Sequence, residues 1–460
     1  MKRPGSAWGV LLLLVLLWLV VYPLVLVLID SLRGPHGWTG DFFRQFLERP
    51  NEWKALWGSI WISAATVALC ALIGIPLAFL FSRYEFPGRR LLGGLVALPV
   101  VLPPLVGVIS FLFLFGETGF AARLVQAITG STDPPWRLQG AGAILLVHAY
   151  SMYVYFYLFA RAALAGLDPS LLEAAAALGA SRRRTLFTVT LPLLRPALVG
   201  AGILTFMTSL ASFSAPYIFG GGFRVMTTQI VATRLNGDVA MAMVETVALT
   251  VVALIGLWLL RRSEGRDVSG GGRKGAGAAP APVRSRTRRL MTVLATALTL
   301  LLLLPHFTLV LLSFVPVGTW TTEPLPPAYT VGNYRALFSE PERFRPLFNS
   351  FWMATLAMVA AMAIAVAAAH LIVRKRVRVR GALEWLLSLP WAVPGTVFAI
   401  ALATMFAVHA PLAGRVVLIG TIWLLPLAYL IRNLPMAGRA VLAGYRQLDP
   451  SMEEAAATLG

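Results

Sequence analysis

Long apolar segments recur along the whole chain, and they constrain its fold more than any other feature. Each is about 20 residues or longer, enough to cross about 30 Å of hydrocarbon as a helix. Only 13% of the 460 residues are charged and 58% are hydrophobic, whereas a soluble domain carries about 25% charged residues. The sequence therefore predicts an all-α polytopic membrane protein. The ten predicted spans are 8–29, 57–81, 91–115, 140–160, 196–216, 241–260, 290–314, 350–373, 384–408 and 416–434.

The first apolar segment could be a signal peptide, because Lys2 and Arg3 precede it. However, it is longer than the apolar region of a signal peptide, and no A-x-A cleavage site follows it. We therefore predict a retained helix.

The distribution of basic residues predicts the orientation in the membrane. If the N-terminus is cytosolic and the loops alternate, 27 of the 39 Lys and Arg residues lie in cytosolic segments. The net charge is then +18 on the cytosolic side and +1 on the other. Since cytosolic loops of membrane proteins carry an excess of Lys and Arg, this favours a cytosolic N-terminus. The total charge of +19 therefore requires no nucleic-acid partner.

The second half of the chain repeats the first. At an offset of 291 residues, Pro99 and Pro103 match Pro390 and Pro394. Six spans separate equivalent points, so the repeats are predicted to be parallel. The predicted parts are a first repeat over 1–262, a flexible cytosolic linker over 263–289 and a second repeat over 290–460. The linker is rich in Gly, Ala, Pro and Arg, which favours a solvated tether and leaves contact with anionic headgroups open.

A short, Ala-rich motif occurs once in each repeat: LDPSLLEAAAALG at 167–179 and LDPSMEEAAATLG at 448–460. Asp168 predicts an N-cap, Pro169 the first helical residue and Gly179 a C-terminal stop. The predicted helix, Pro169 to Leu178, is about 15 Å long, too short to span a bilayer. An ordinary linker helix would explain one copy. Two copies at equivalent places favour a surface that docks with a soluble partner.

The E-A-A-x-x-x-G pattern in both copies resembles the EAA loop of permease subunits of ABC importers. In that family the loop forms a coupling helix that docks into a groove of the ATPase subunit. The resemblance covers nearly the whole chain, and the double form with SFSAPYIFGGGFRVMTTQI (212–230) is most similar to the ferric-iron members of the ferric-iron and thiamine branch. The residues it implies for ATPase coupling are Asp168, Glu173, Ala174, Ala175 and Gly179, with Asp449, Glu454, Ala455, Ala456 and Gly460.

The resemblance also implies the type I importer permease fold, in the bacterial cytoplasmic (inner) membrane. Two copies of an ABC ATPase would bind ATP and Mg²⁺, and an extracytoplasmic binding protein would deliver the substrate. Ferric iron is the expected substrate, with thiamine, phosphonate or polyamine as alternatives. The second repeat has about four spans where the first has six. We therefore expect a truncated chain or an incomplete gene, with the second loop less firmly held.

Groups for catalysis or metal binding are scarce in the sequence. None of the four lysines follows a glycine, so there is no phosphate-binding P-loop. Cys70 is the single cysteine, and the five histidines lack metal-ligand spacing. The sequence therefore predicts no catalytic site, no metal site and no cofactor in this chain. An intramembrane lipid-modifying enzyme would need clustered catalytic groups, and a passive channel gives no reason for two docking helices.

A few polar residues are predicted at membrane depth. His148 and His306 are interpreted as neutral histidines bonded to neighbouring helices, and Glu245 as a group solvated at the membrane interface. Hydroxyl residues of the fifth span either line a translocation path or pack helices together; they are Thr205, Thr208, Ser209, Ser212 and Ser214. Prolines are predicted to bend the third and ninth spans because each removes a backbone donor; they are Pro99, Pro103, Pro104, Pro390 and Pro394.

Overall fold

The computed structural model describes residues 5–264, 285–320, 323–407, 413, 416–449, 451–452 and 458. Helix dominates this part of the chain. Its one sheet is a hairpin that follows the first span, Arg33–Gly34 paired antiparallel with Gly37–Trp38. Eight helices of the described residues are long and apolar enough to cross a membrane, or nine if one bent pair counts as a span. The predicted all-α polytopic class is confirmed.

The helices follow one another with short connections. The α-helices before the linker are Gly5–Leu16, Tyr22–Ser31, Asp41–Glu48, Pro50–Arg83, Arg89–Leu95, Pro104–Phe115, Phe120–Thr129, Gly140–Ala165, Pro169–Ala177, Arg182–Thr185, Leu191–Leu210, Ser214–Phe219, Met226–Leu235 and Val239–Glu264. Those after it are Ser285–Ser313, Gly332–Ser339, Pro341–Ala369, Arg380–Ala392, Gly395–Met405 and Leu424–Gln447. Three π-helical turns, Leu17–Val21, Leu186–Thr190 and His370–Arg374, and one 3₁₀ turn, Leu98–Val101, join neighbouring helices.

The predicted linker has helical flanks, since one helix runs to Glu264 and the next begins at Ser285. The rest of the linker, 265–284, lies outside the described residues.

Prolines break the third and ninth predicted spans instead of only bending them. Helix Pro104–Phe115 begins directly after Pro103, and helix Gly395–Met405 begins directly after Pro394. The ninth span turns by 108° at this point. Pro103 and Pro394 are equivalent residues of the two repeats, so the break is a shared feature. Pro390, by contrast, lies inside its helix.

The tenth predicted span, 416–434, is wrong in its position. The helix begins at Leu424 and continues to Gln447, and it is not among the helices apolar enough to be counted as spans. It carries Arg432, whose Nη1 donates to the carbonyl oxygens of Pro390 and Val393 at 3.1 and 3.2 Å. The arginine thus satisfies backbone acceptors that the break in the ninth span leaves without helical partners.

The described chain packs into two compact units that do not coincide with the sequence repeats. The first unit comprises Met1–Trp53, Gln229–Leu254 and Leu337–Gly460, and the second comprises Lys54–Thr228 and Ile255–Ala336. In the first unit, Tyr22–Ser31 packs against Gly395–Met405. In the second, Ser285–Ser313 packs against Pro104–Phe115. The first span of each repeat therefore packs against the third span of the other.

A glycine allows the second and fourth spans to approach closely in the core of the second unit. A Cβ atom on Gly74 would lie 2.5 Å from the carbonyl oxygen of Tyr153 and 2.7 Å from Cβ of Phe156. Tyr153 and Tyr157, from the fourth span, are fully buried beside Cys70 of the second span. Small residues commonly permit such close contacts between membrane helices.

The variant Gly74→Ala is therefore expected to lose stability, because the added methyl group meets fixed backbone atoms. We expect a loss of about 2–3 kcal/mol in the free energy of unfolding, measured by thermal unfolding in detergent. The control is Gly142→Ala in the facing helix, where an added Cβ has no neighbour within 4 Å. Equal stability of the two variants would contradict the close approach.

Candidate functional site

The first Ala-rich motif forms a short helix, Pro169–Ala177, which we call the loop helix. The Asp168 side chain caps its beginning by accepting from the backbone N–H of Ser170 at 3.0 Å. Gly179 ends it with φ of +75°. Its N–H bonds to the oxygen of Ala176, and the N–H of Ala180 bonds to that of Ala175. These two bonds are the Schellman pattern, so local interactions fix both ends of the loop helix.

The loop helix exposes most of its small-residue surface. Glu173 and Ala174 are exposed, whereas Ala175 is buried. Leu178, directly after the helix, is 88% exposed. An exposed leucine beside alanines and one carboxylate is a surface that suits contact with another protein.

The second motif begins in the same way as the first. Asp449 accepts from the backbone N–H of Ser451 at 2.9 Å, as Asp168 does from Ser170. The Ser451 backbone N–H and the Ser451 side chain hold the pKa of Asp449 below its usual value. The other predicted residues of this copy lie outside the described residues; they are Glu454, Ala455, Ala456 and Gly460.

A buried polar cluster, the hydroxyl cluster, joins three segments of the second unit; it consists of Thr66, His148, Ser209 and Ser212. His148 Nδ1 lies 3.0 Å from Ser209 Oγ and 3.3 Å from Thr66 Oγ1. On the other side of the ring, Nε2 lies 2.9 Å from Ser212 Oγ. Because a hydroxyl can donate or accept, a neutral imidazole is satisfied in either tautomer. This confirms that His148 bonds to neighbouring segments, and His306 does likewise, to Tyr150 Oη at 3.0 Å.

The structure brings together only two of the five predicted path-lining residues. Ser209 and Ser212 meet at His148, as described above. The hydroxyls of Thr205 and Thr208 donate to carbonyl oxygens of their own helix, Ala201 and Leu204, at 2.8 Å each. Ser214 begins the next helix, Ser214–Phe219.

The fifth span was predicted to extend to residue 216, but its helix ends at Leu210. The Ser-rich segment before Pro216 favours turns over helix. Ser212 therefore lies outside the helix. Its hydroxyl lies beside His148, and its carbonyl oxygen accepts from Thr227 Oγ1 at 2.7 Å.

A buried pair of carboxyl groups, Glu52 and Glu245, lies in the first unit; we call it the carboxyl pair. The two groups are neighbours and are only 4% and 0% exposed. Thr233 Oγ1 donates to Glu245 Oε1 at 2.8 Å, and Gln229 Nε2 lies 3.4 Å from Glu52 Oε1. The prediction that Glu245 is solvated at the interface is therefore wrong, because helix Met226–Leu235 supplies the Thr and Gln partners in place of water.

Replacing Glu245 by Gln is expected to leave stability unchanged or raise it by up to about 1 kcal/mol. The amide oxygen still accepts from Thr233, and the amide stays uncharged beside Glu52. Glu245→Ala should instead lose about 1–3 kcal/mol, because Thr233 loses its buried partner. Thermal unfolding of both variants in detergent measures the difference. If Glu245→Gln loses as much stability as Glu245→Ala, the hydrogen bond to Thr233 does not stabilise the side chain at position 245.

Sequence reasoning missed Thr66 and Glu52. A signal for Thr66 was present, since Ser59, Ser63 and Thr66 form an i, i+4, i+7 stripe within the apolar predicted span 57–81, and all three are buried. Glu52 carried no comparable signal, because its partners are about 180–190 residues away in the sequence. Among the described residues, no three His, Cys, Asp or Glu side chains are placed to hold a metal ion.

Comparison with known proteins identifies the family of the chain. Residues 71–266 match the family described as "Binding-protein-dependent transport system inner membrane component". The chain is 31% identical over 410 residues to "Probable ABC transporter permease protein y4fN" of Sinorhizobium fredii, covering 88% of this chain and 72% of that protein. The chain belongs to the ABC transporter permeases. The resemblance inferred from the two loops is thereby confirmed.

Two further relatives of the permease differ in the substrate that their names give. The ferric transport system permease protein FbpB of Actinobacillus pleuropneumoniae is 26% identical to this chain. The aligned region covers 98% of this chain and 65% of FbpB. The molybdenum transport system permease protein ModB of Escherichia coli is 34% identical over 47% of this chain and 96% of its own length. These relatives are transport subunits of the membrane and not enzymes.

Proposed function

We propose that this permease forms the translocation path of an ABC importer, with its N-terminus in the cytosol of a bacterial cell. The loop helix carries the proposal. It is capped at both ends and exposes Glu173 and Leu178, and its sequence motif recurs in the second repeat, where Asp449 accepts from Ser451 in the same way. Each copy would dock one ATPase subunit, which binds ATP and Mg²⁺ and hydrolyses the nucleotide.

The connections of the loop helix support the proposed coupling role. It lies between Gly140–Ala165 and the segment Arg182–Leu210, both of which are apolar enough to span the membrane. A movement of the ATPase would pass through the loop helix to these two spans. The hydroxyl cluster joins the same two spans, since His148 lies on the first and Ser209 on the second.

Ferric iron is the substrate we propose, delivered by an extracytoplasmic binding protein. The similarity to FbpB extends over 98% of this chain, whereas that to ModB covers about half. Hydroxyl oxygens are hard ligands of the kind that suits small, highly charged cations. The residues that we propose to line the path are Thr205, Thr208, Ser209, Ser212 and Ser214.

Reconstitution tests both the permease role and the identity of the substrate. The permease would be placed in proteoliposomes with the ATPase and the binding protein encoded beside it, and uptake of ferric iron, molybdate and 2-aminoethylphosphonate would be measured with and without ATP. We expect ATP-dependent uptake of iron. Uptake of another solute would overturn the substrate alone, and no ATP-dependent uptake of any solute would overturn the permease role.

A further inference from the structure

An apolar groove lies in the first unit, between the beginning of the first span and the end of the eighth span. It encloses about 490 Å³. Four residues of the first span line one wall: Trp8, Leu11, Leu12 and Val15. They repeat at the i, i+3, i+4, i+7 spacing of one helix face. The opposite wall is formed by Ala367, His370, Leu371 and Lys375. We call this feature the basic groove, because cationic residues lie at its mouth.

The depth of the basic groove suits a lipid chain. Trp8 and Val15 are seven residues apart, so the groove extends about 10 Å along the helix axis from its mouth. Trp8 is 67% exposed at that mouth, in the place where tryptophans mark the membrane interface. Leu11 and Val15 deeper in the groove are also exposed, so an apolar occupant would cover them.

The mouth of the groove is strongly basic. Residues 374–380 read RKRVRVR, with five cations in seven residues. Lys375 lines the groove and is exposed, as is Arg376. Arg376 has φ of 45°, the one positive value at a residue other than glycine in the described chain. Such strain is held where the surroundings require a particular turn, and here it turns the chain directly after Lys375.

We propose that the basic groove binds one anionic phospholipid, with an acyl chain between the first and eighth spans and the phosphate at Lys375. The apolar walls match the acyl chain of such a lipid, and the cationic rim matches its phosphate. The other segments available are poor occupants, because residues 1–4 and the linker 265–284 both carry Lys and Arg and would be repelled by the rim. This inference is independent of the substrate and of ATPase binding.

Native mass spectrometry of the purified 460-residue chain tests the proposal, with phosphatidylglycerol and phosphatidylcholine added as probes. We expect one phosphatidylglycerol to be retained in preference to phosphatidylcholine. The variant Lys375→Ala should weaken that binding about fivefold, the effect of one cation near an anionic headgroup. Arg378→Ala, which removes one charge from the same segment outside the groove lining, is the matched control and should weaken binding by less than Lys375→Ala does.

A second pair of variants tests the apolar walls. Val15→Trp should fill the groove and reduce phosphatidylglycerol binding, whereas Leu14→Trp, on an exposed neighbour outside the lining, should not. Equal losses in Lys375→Ala and Arg378→Ala would show diffuse attraction to the basic segment. Equal retention of both lipids, or full binding in Val15→Trp, would likewise overturn the site.

Discussion

Glu173→Lys is expected to abolish ATP-driven uptake and to reduce the ATPase that co-purifies with the permease by about tenfold or more. A loss of this size corresponds to about 1.4 kcal/mol or more of binding free energy, which is ordinary for a central interface residue. Glu173 is exposed on the loop helix, so reversing its charge places a repulsive group on the surface that we propose docks the ATPase. The caps at Asp168 and Gly179 are untouched, and the helix should still form.

Glu85→Lys is the matched control for this experiment. Glu85 is an exposed carboxylate in the connection between Pro50–Arg83 and Arg89–Leu95, on the side of the membrane that we assign to the loop helix. The same charge reversal there should leave ATPase binding and uptake intact. If both variants lose the ATPase equally, the effect is one of overall charge. If Glu173→Lys retains both binding and uptake, the loop helix is not the docking surface.

His148→Ala is expected to have the largest effect on stability, a loss of about 2–4 kcal/mol. The imidazole is 2% exposed, and it bonds to hydroxyls from two neighbouring segments of the second unit. Removing it leaves a cavity and deprives Thr66, Ser209 and Ser212 of their common partner. Hydrogen bonds between membrane helices contribute only about 0.6 kcal/mol each on average, so most of the loss should come from the cavity.

Thermal unfolding in detergent measures this loss, and His36→Ala is the control. His36 is exposed in the turn of the Arg33–Trp38 hairpin, so its truncation should change stability by less than about 0.5 kcal/mol. His148→Asn should recover part of the lost stability, because an amide can still pair with a hydroxyl. A variant His148→Ala as stable as His36→Ala would mean that the hydroxyl cluster does not hold the second, fourth and fifth spans together.

Local signals explain why the loop helix could be predicted almost to the residue. Asp168 and Pro169 fix its start, and Gly179 fixes its end through a backbone conformation that glycine adopts readily. The predicted helix ended at Leu178 and the observed one ends at Ala177. The apolar spans were predictable for a similar reason, since their length and composition are properties of the segment itself.

Features that depend on distant partners could not be predicted in the same way. The position of Glu245 near the end of an apolar run suggests solvation, and only the packing of Met226–Leu235 shows it to be buried with Glu52. The helix from Leu424 similarly contains Arg432, a residue that lowers its apolar character. The role of Arg432 is visible only in the structure, where its side chain donates to the carbonyl oxygens of Pro390 and Val393.

The first span of each repeat packs against the third span of the other. This arrangement determines the order in which the spans can pack during synthesis. Ser31 and Gly395 are 364 residues apart in the chain, so at about 5–20 residues per second the first span waits roughly 20–70 s for its partner helix. The second unit likewise lacks Ala295 and Leu303, both buried in the finished protein, until the ribosome has passed the linker. During these intervals the unpartnered helices must be solvated by lipid, which a helix with internally satisfied backbone groups allows. Neither half of the chain can therefore finish packing before the other has entered the membrane.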